Sequence, residues 1–187
     1  MPMTTTHALV PIAGALAFAT RPVPWSLVLV AAFAAAAPDV DGLAHHFLHV
    51  PVDSVYAHRG AAHSLFAALA AGLLAAAFHR WFRVRAATAG IVVGAAMASH
   101  GMLDMMTDSG LPVAYLWPLS SLRLFADWRP IHSVPVHMTH LVAQTFARLR
   151  SELWQLIIPM FAVAIAIRAA RSIGSRGNTS RRSRRKT

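Results

Sequence analysis

Five apolar runs leave this chain few ways to fold. They lie at roughly residues 5–20, 23–38, 62–79, 86–106 and 153–170. The last three approach the ~20 residues a helix needs to cross a hydrocarbon core. The first two are shorter and are joined by "RPVP" at 21–24, which reads as a tight turn between helices. Of the 187 residues, 56% are hydrophobic and only 13% charged, where a soluble domain carries about 25% charged residues. The expectation is an all-α integral membrane bundle of about five hydrophobic helices. The absence of cysteine excludes a disulfide framework and a thiolate metal site.

The net charge of +10 suggests nucleic acid until it is located, because eight of the 17 basic residues lie from Arg168 onward. That stretch reads as a disordered basic tail, residues 168–187, following a membrane-embedded unit of residues 1–167. No recognised nucleic-acid motif accompanies it. The tail is therefore expected to set topology and touch anionic lipid headgroups rather than bind nucleic acid.

Cytoplasmic loops carry the excess of Lys and Arg. With alternating spans and a cytoplasmic tail, the inner side receives Arg21, Arg80, Arg83, Arg85 and the eight tail residues, twelve in all. The outer side receives five: Arg59, Arg123, Arg129, Arg148 and Arg150. An outer N-terminus and a cytoplasmic C-terminus are thus preferred. The same orientation gathers other polar residues at the outer ends of all five runs. His7 starts the first, and Asp39 and Asp41 of "PDVDG" end the second. His58, Arg59 and His63 of "HRGAAHSLF" start the third, His100 and Asp104 end the fourth, and Glu152 starts the fifth.

His100 and Asp104 are four apart, so they share one helix face. Imidazoles and carboxylates suit Zn²⁺, with Mn²⁺ or Fe²⁺ as alternatives. The set is large enough for two ions, or three with bridging carboxylates. Such a site would lower the pKa of bound water and polarise a phosphoryl or carbonyl oxygen. Arg59 could hold an anionic substrate group, and Asp41 or Glu152 could act as base rather than ligand.

"THALVPIAG", "PDVD", "HRGAAHSLF" and "SHGMLDMMTDSGLPVAYLWP" occur in the order seen in the YdjM-like family of inner-membrane proteins, and "RPIHSVPV" and "SELWQLIIP" resemble later segments of some members. The resemblance covers roughly residues 5 to 165. It implies a bacterial-type inner-membrane location and a metal-dependent hydrolase, distantly similar to zinc-dependent phospholipase C and P1 nuclease. It also implies metal-site roles for His7, Asp39, Asp41, His58, His63, His100 and Asp104, and more weakly for Glu152. One departure is Ala62, where the family usually has threonine before the second histidine. Its loss could remove a hydrogen bond that supports a ligand.

The expected function is hydrolysis of a phosphoester in a small-molecule, lipid-like or envelope-derived substrate. Residues 107–152 would form an outer cover, with 136–150 an amphipathic helix on the membrane surface. The rival is a non-enzymatic protein that binds or conducts metal ions or protons. The inner halves of the helices are mostly Ala, Leu, Val and Gly, which counts against conduction. A third reading is a purely structural metal clip. "HHFLH" at 45–49 and "IHSVPVHMTH" at 131–140 read as solvated or headgroup-facing loops. Gly110 of "TDSG" fits a left-handed helix stop, and Gly90 and Gly94 fit close helix packing.

Overall fold

The computed structural model describes residues 2–20, 22–42, 47, 50–52, 54–133 and 141–184, without the side chains of 141 and 174–184. Arg21, His45, His46, His49, His137 and His140 lie outside the described residues. The architecture is all-helical. Among the described residues there is no strand, and the isolated bridges Thr107–Ile131 and Val113–Leu124 are the extended pairings found.

The helices follow the apolar runs. They are α1 (Thr4–Phe18), α2 (Trp25–Ala36), α3 (Leu65–Ala77), the short α4 (His79–Phe82) and α5 (Ala86–Met105). After the outer loop come α6 (Leu141–Glu152), a π-helical segment (Leu153–Ile157) and α7 (Ile158–Arg184). Local chemistry explains several of the ends. Ser64 caps α3 by accepting from the Ala67 N–H at 3.1 Å. Thr107 closes α5 by donating its hydroxyl to the Asp104 carbonyl at 2.7 Å. Arg83 stops α4 in a left-handed conformation.

Helix α5 is the centre of the bundle, packing on α3, α2 and α1, and α1 in turn packs on α2 and α7. The core is small-residue rich. Leu27, Ala31 and Ala35 of α2 meet Ala75 of α3 and Ala89, Val93 and Ala96 of α5. Ala13 and Ala17 of α1 meet Ala164 of α7. Larger apolar side chains point outward instead, as with Phe33, Leu69, Leu73 and Val163. An apolar exterior over an alanine core suits a bundle solvated by lipid.

Helices α3 and α5 cross at Gly72, where an added Cβ would meet the Gly90 carbonyl oxygen at 2.8 Å and the Gly94 Cα at 3.3 Å. Both neighbours are backbone and cannot swing aside. Gly72→Val is expected to lower stability by about 1–3 kcal/mol through overpacking, measured by thermal unfolding in detergent.

Two helical stretches, Ala86–Met105 and Val142–Ile173, are long and apolar enough to cross a membrane. Thr4–Phe18, Trp25–Val40 and Leu65–Ala77 are shorter. The 13 residues of α3 rise only about 20 Å, against a hydrocarbon core of about 30 Å.

An amphipathic helix is present within the stretch near 136–150, as α6, and it runs through the π segment into α7 without a break. Helix α7 continues as far as Arg184. Extending an existing helix avoids the cost of nucleating one. The stretch 107–152 is loop up to the described residue 133 and helix from 141.

Candidate metal centre

The site forms where the start of α1, the turn after α2, the turn before α3 and the end of α5 meet. A 3-10 turn, Ala37–Val40, begins with Pro38 in its first turn and turns Asp39 and Asp41 inward. A second, Ala61–His63, delivers His63 just ahead of α3. His100 and Asp104 share the inner face of α5, both completely buried.

Asp104 is the hub. Its carboxylate lies 3.1 Å from Arg59 Nε, 3.5 Å from His63 Nε2, 3.7 Å from His7 Nε2 and 3.8 Å from His100 Nε2. His100 Nε2 is also 3.5 Å from Asp39 Oδ1. His63 Nδ1 is 3.1 Å from Asp41 Oδ2, and His58 Nδ1 is 2.7 Å from Asp41 Oδ1. The rings of His7 and His100 stack with centroids 3.8 Å apart.

Among the described residues two donor groups emerge, each with its atoms within 4.8 Å of one another: Asp39, His63, His100 and Asp104, and Asp41, His58 and His63. His63 belongs to both. The first group is almost sealed, whereas His58 and Asp41 keep 19% and 10% of their side-chain surface exposed. His7 stands beside the first group through Asp104 and His100 without joining it.

These donors fit a cation. His7 Nδ1 and Nε2, Asp39 Oδ1, Asp41 Oδ2, His63 Nδ1 and both Asp104 oxygens are buried without an aligned hydrogen bond. Buried polar atoms left in that state are costly. Several sit within ion-pair range of each other without making a hydrogen bond. His100 Nδ1 donates to the Ala35 carbonyl at 2.7 Å, which leaves its Nε2 lone pair facing the cluster. That Nε2 lies 3.1 Å from His63 Nε2, so a proton or a metal ion must sit between the two nitrogens.

In the metal-free protein His63 holds its proton tightly. Burial alone would lower its pKa, but the Asp104 and Asp41 carboxylates beside it outweigh burial and raise it to about 9. Asp41 shows the converse: burial would raise it, but the His58 hydrogen bond and the neighbouring His63 hold it below the usual carboxylate value.

A histidine raised above its unfolded value of about 6.5 contributes stability in full below that pH. The contribution disappears as the pH climbs through about 9. The metal-free protein is expected to melt at progressively lower temperature from about pH 6.5 to 9, and His63→Gln to flatten that slope. A wild-type profile already flat across this interval, read in detergent with chelator present, would contradict the assignment. Since a metal must displace this proton, affinity should increase over the same interval.

Arg59 and Glu152 sit differently from the ligands. Arg59 is fully buried in a left-handed conformation (φ 63°). Its guanidinium donates to the carbonyls of Leu111 (2.5 Å) and Ser109 (3.3 Å) and to Thr107 Oγ1 (3.1 Å). It packs against Gly110, where an added Cβ would meet Arg59 Nη1 at 2.9 Å and where the φ of 93° also favours glycine. Glu152 accepts from the Met3 N–H at 2.8 and 2.9 Å, from Thr6 Oγ1 at 2.5 Å and from Arg148 Nε at 3.3 Å. It anchors the start of α1, where a carboxylate complements the helix dipole, and it belongs to neither donor group.

Some supporting residues carry no signal in the sequence. Thr4 donates to Asp39 Oδ2 at 2.5 Å. Arg123 donates to the carbonyls of Ser54 (2.6 Å), His58 (3.2 Å) and Pro112 (3.4 Å), and so ties the outer loop over the His58 segment. Ala114 N–H adds a bond to the Arg59 carbonyl at 2.9 Å. His132 and Asp108 pair at 2.9 Å on the exposed part of that loop, outside both donor groups. His79 Nδ1 merely bonds the Val84 carbonyl at 2.9 Å.

Residues 1–174, which include every one of these ligands, match the model of the family described as YdjM inner membrane protein. The chain belongs to the YdjM family. It is 35% identical over 136 residues to the inner membrane protein YbcI of Escherichia coli (strain K12), covering 72% of this chain and 78% of that one. It is 34% identical over 104 residues to the inner membrane protein YdjM of the same organism and to that of Shigella flexneri, covering 50% of each chain. No solved structure matches. For this YdjM-family chain the helical bundle and the inner-membrane kinship agree with each other.

Proposed function

We propose that this chain is a multi-pass, metal-dependent hydrolase of the inner membrane, acting on a phosphoester in a lipid-like or envelope-derived substrate. The observation that carries this reading is the pairing of a sealed donor group with a partly exposed one through His63. The positive-inside count supports a site on the non-cytoplasmic side and a cytoplasmic C-terminus.

Zinc suits the imidazole and carboxylate donors best. Asp39, His63, His100 and Asp104 would hold one ion, and Asp41, His58 and His63 a second. The metal, when bound, supplies Lewis acidity and a water of lowered pKa. The protein's own residues do the rest. Asp41, at the exposed edge, would take the proton from the attacking water through the carboxylate oxygen that does not hold the ion. His58 orients that carboxylate through its 2.7 Å contact. Arg59 spends its guanidinium on Asp104 and the loop carbonyls, so it positions the metal-binding carboxylate rather than clamping substrate. Glu152 fixes the start of α1 and with it His7.

Purified protein loaded with zinc or manganese is expected to hydrolyse bis-p-nitrophenyl phosphate or p-nitrophenyl phosphate. Asp41→Asn should lower turnover by about 100-fold or more, the range for losing a general base. Loaded protein that turns over neither a diester nor a monoester would overturn the reading. The complete burial of His100 and Asp104 would then favour a structural ion.

A further inference from the structure

The opposite end of α1 carries a second feature that the metal centre does not use. Some 18 Å along the helix from His7, a cavity of about 320 Å³ opens between α1, the α1–α2 turn and α7. Ile12, Ala15, Val23 and Val28 form its apolar wall, and Trp25 and Arg168 stand on its lining. Trp25 is largely exposed, as tryptophan is at a membrane–water interface.

Arg168 stands on that lining, and Arg171, three residues further along α7, lies beside it at the end of α1. Arg168 donates to the Leu16 carbonyl at 3.2 Å and Arg171 to the Ala17 carbonyl at 2.8 Å, both at the C-terminal end of α1. Each arginine carries five N–H donors, so most remain for another acceptor. No protein carboxylate serves them among the described ion pairs. The sequence explains why: all seven acidic residues fall between Asp39 and Glu152, outside α1, the α1–α2 turn and α7.

We infer that this cavity is a binding site for one anionic glycerophospholipid, its phosphate held by Arg168 and Arg171 and an acyl chain laid in the apolar groove beside Trp25. Basic pockets between membrane helices take lipid headgroups for the same reason, and guanidinium forks suit phosphate oxygens. The site stands independently of any hydrolase activity.

The test uses the full-length protein in detergent with equimolar phosphatidylglycerol and phosphatidylcholine, retained lipid being counted by native mass spectrometry. Phosphatidylglycerol should be retained in preference by roughly tenfold, and Arg168→Gln/Arg171→Gln should abolish most of that preference. The charge-matched tail variant Arg181→Gln/Arg182→Gln should keep it within about twofold. Chain-brominated phosphatidylglycerol should also quench wild-type fluorescence more than that of Trp25→Phe, a reading that needs no arginine variant to fold. Equal retention of the two lipids, equal loss in the two double variants, or quenching indifferent to Trp25 would each overturn the inference.

Discussion

Asp104→Ala is expected to be the most damaging single substitution in the chain, removing about 3–5 kcal/mol of stability even without metal. The reason is the buried guanidinium it strands. Arg59 is wholly inaccessible, and among the described residues Asp104 is the carboxylate within ion-pair range of it, at 3.1 Å. Its other partners are the neutral Thr107, Ser109 and Leu111. Breaking one side of a buried pair leaves a charge with no compensation. Replacing both sides with apolar groups is far milder. The double variant Asp104→Ala/Arg59→Leu should therefore be more stable than the sum of the single losses by about 2 kcal/mol. Denaturant unfolding of the four metal-free proteins in detergent measures that coupling. A coupling near zero would mean Arg59 is held by the loop alone.

The second large effect concerns His63, the residue common to both donor groups. His63→Ala should weaken metal binding at both positions, each by more than about 100-fold, above the effect of losing a mere supporting contact. His58→Ala should spare the sealed group and affect only the exposed one. Metal titration of the two variants beside wild type separates these outcomes. If His63→Ala lost no more metal than His58→Ala, the two groups would not share a ligand.

Much of this cluster was legible in the sequence because successive antiparallel apolar helices bring alternate ends together. His7, Asp39, Asp41, His58, His63, His100 and Asp104 do lie together in the fold. The spacing of His100 and Asp104 needed nothing beyond helix geometry. What the sequence conceals is what backbone conformation decides. Arg59 looks like a free phosphate ligand until the 107–111 turn presents two carbonyls to it. Glu152 looks like a ligand at a helix start until Met3 and Thr6 occupy its oxygens. The support from Thr4 and Arg123 depends on chain segments distant in sequence and unmarked by any motif. The join of α6 to α7 was hidden because the polar face of Leu141–Glu152 reads as a separate helix.

Elemental mass spectrometry of detergent-purified wild-type protein decides whether these residues hold metal. Two ions of zinc or a similar divalent metal are expected per chain, one for each donor group. Asp104→Ala should lose the ion of the sealed group. A wild-type protein that stays metal-free after reconstitution at pH 8, where displacing the His63 proton is easier, would contradict that expectation.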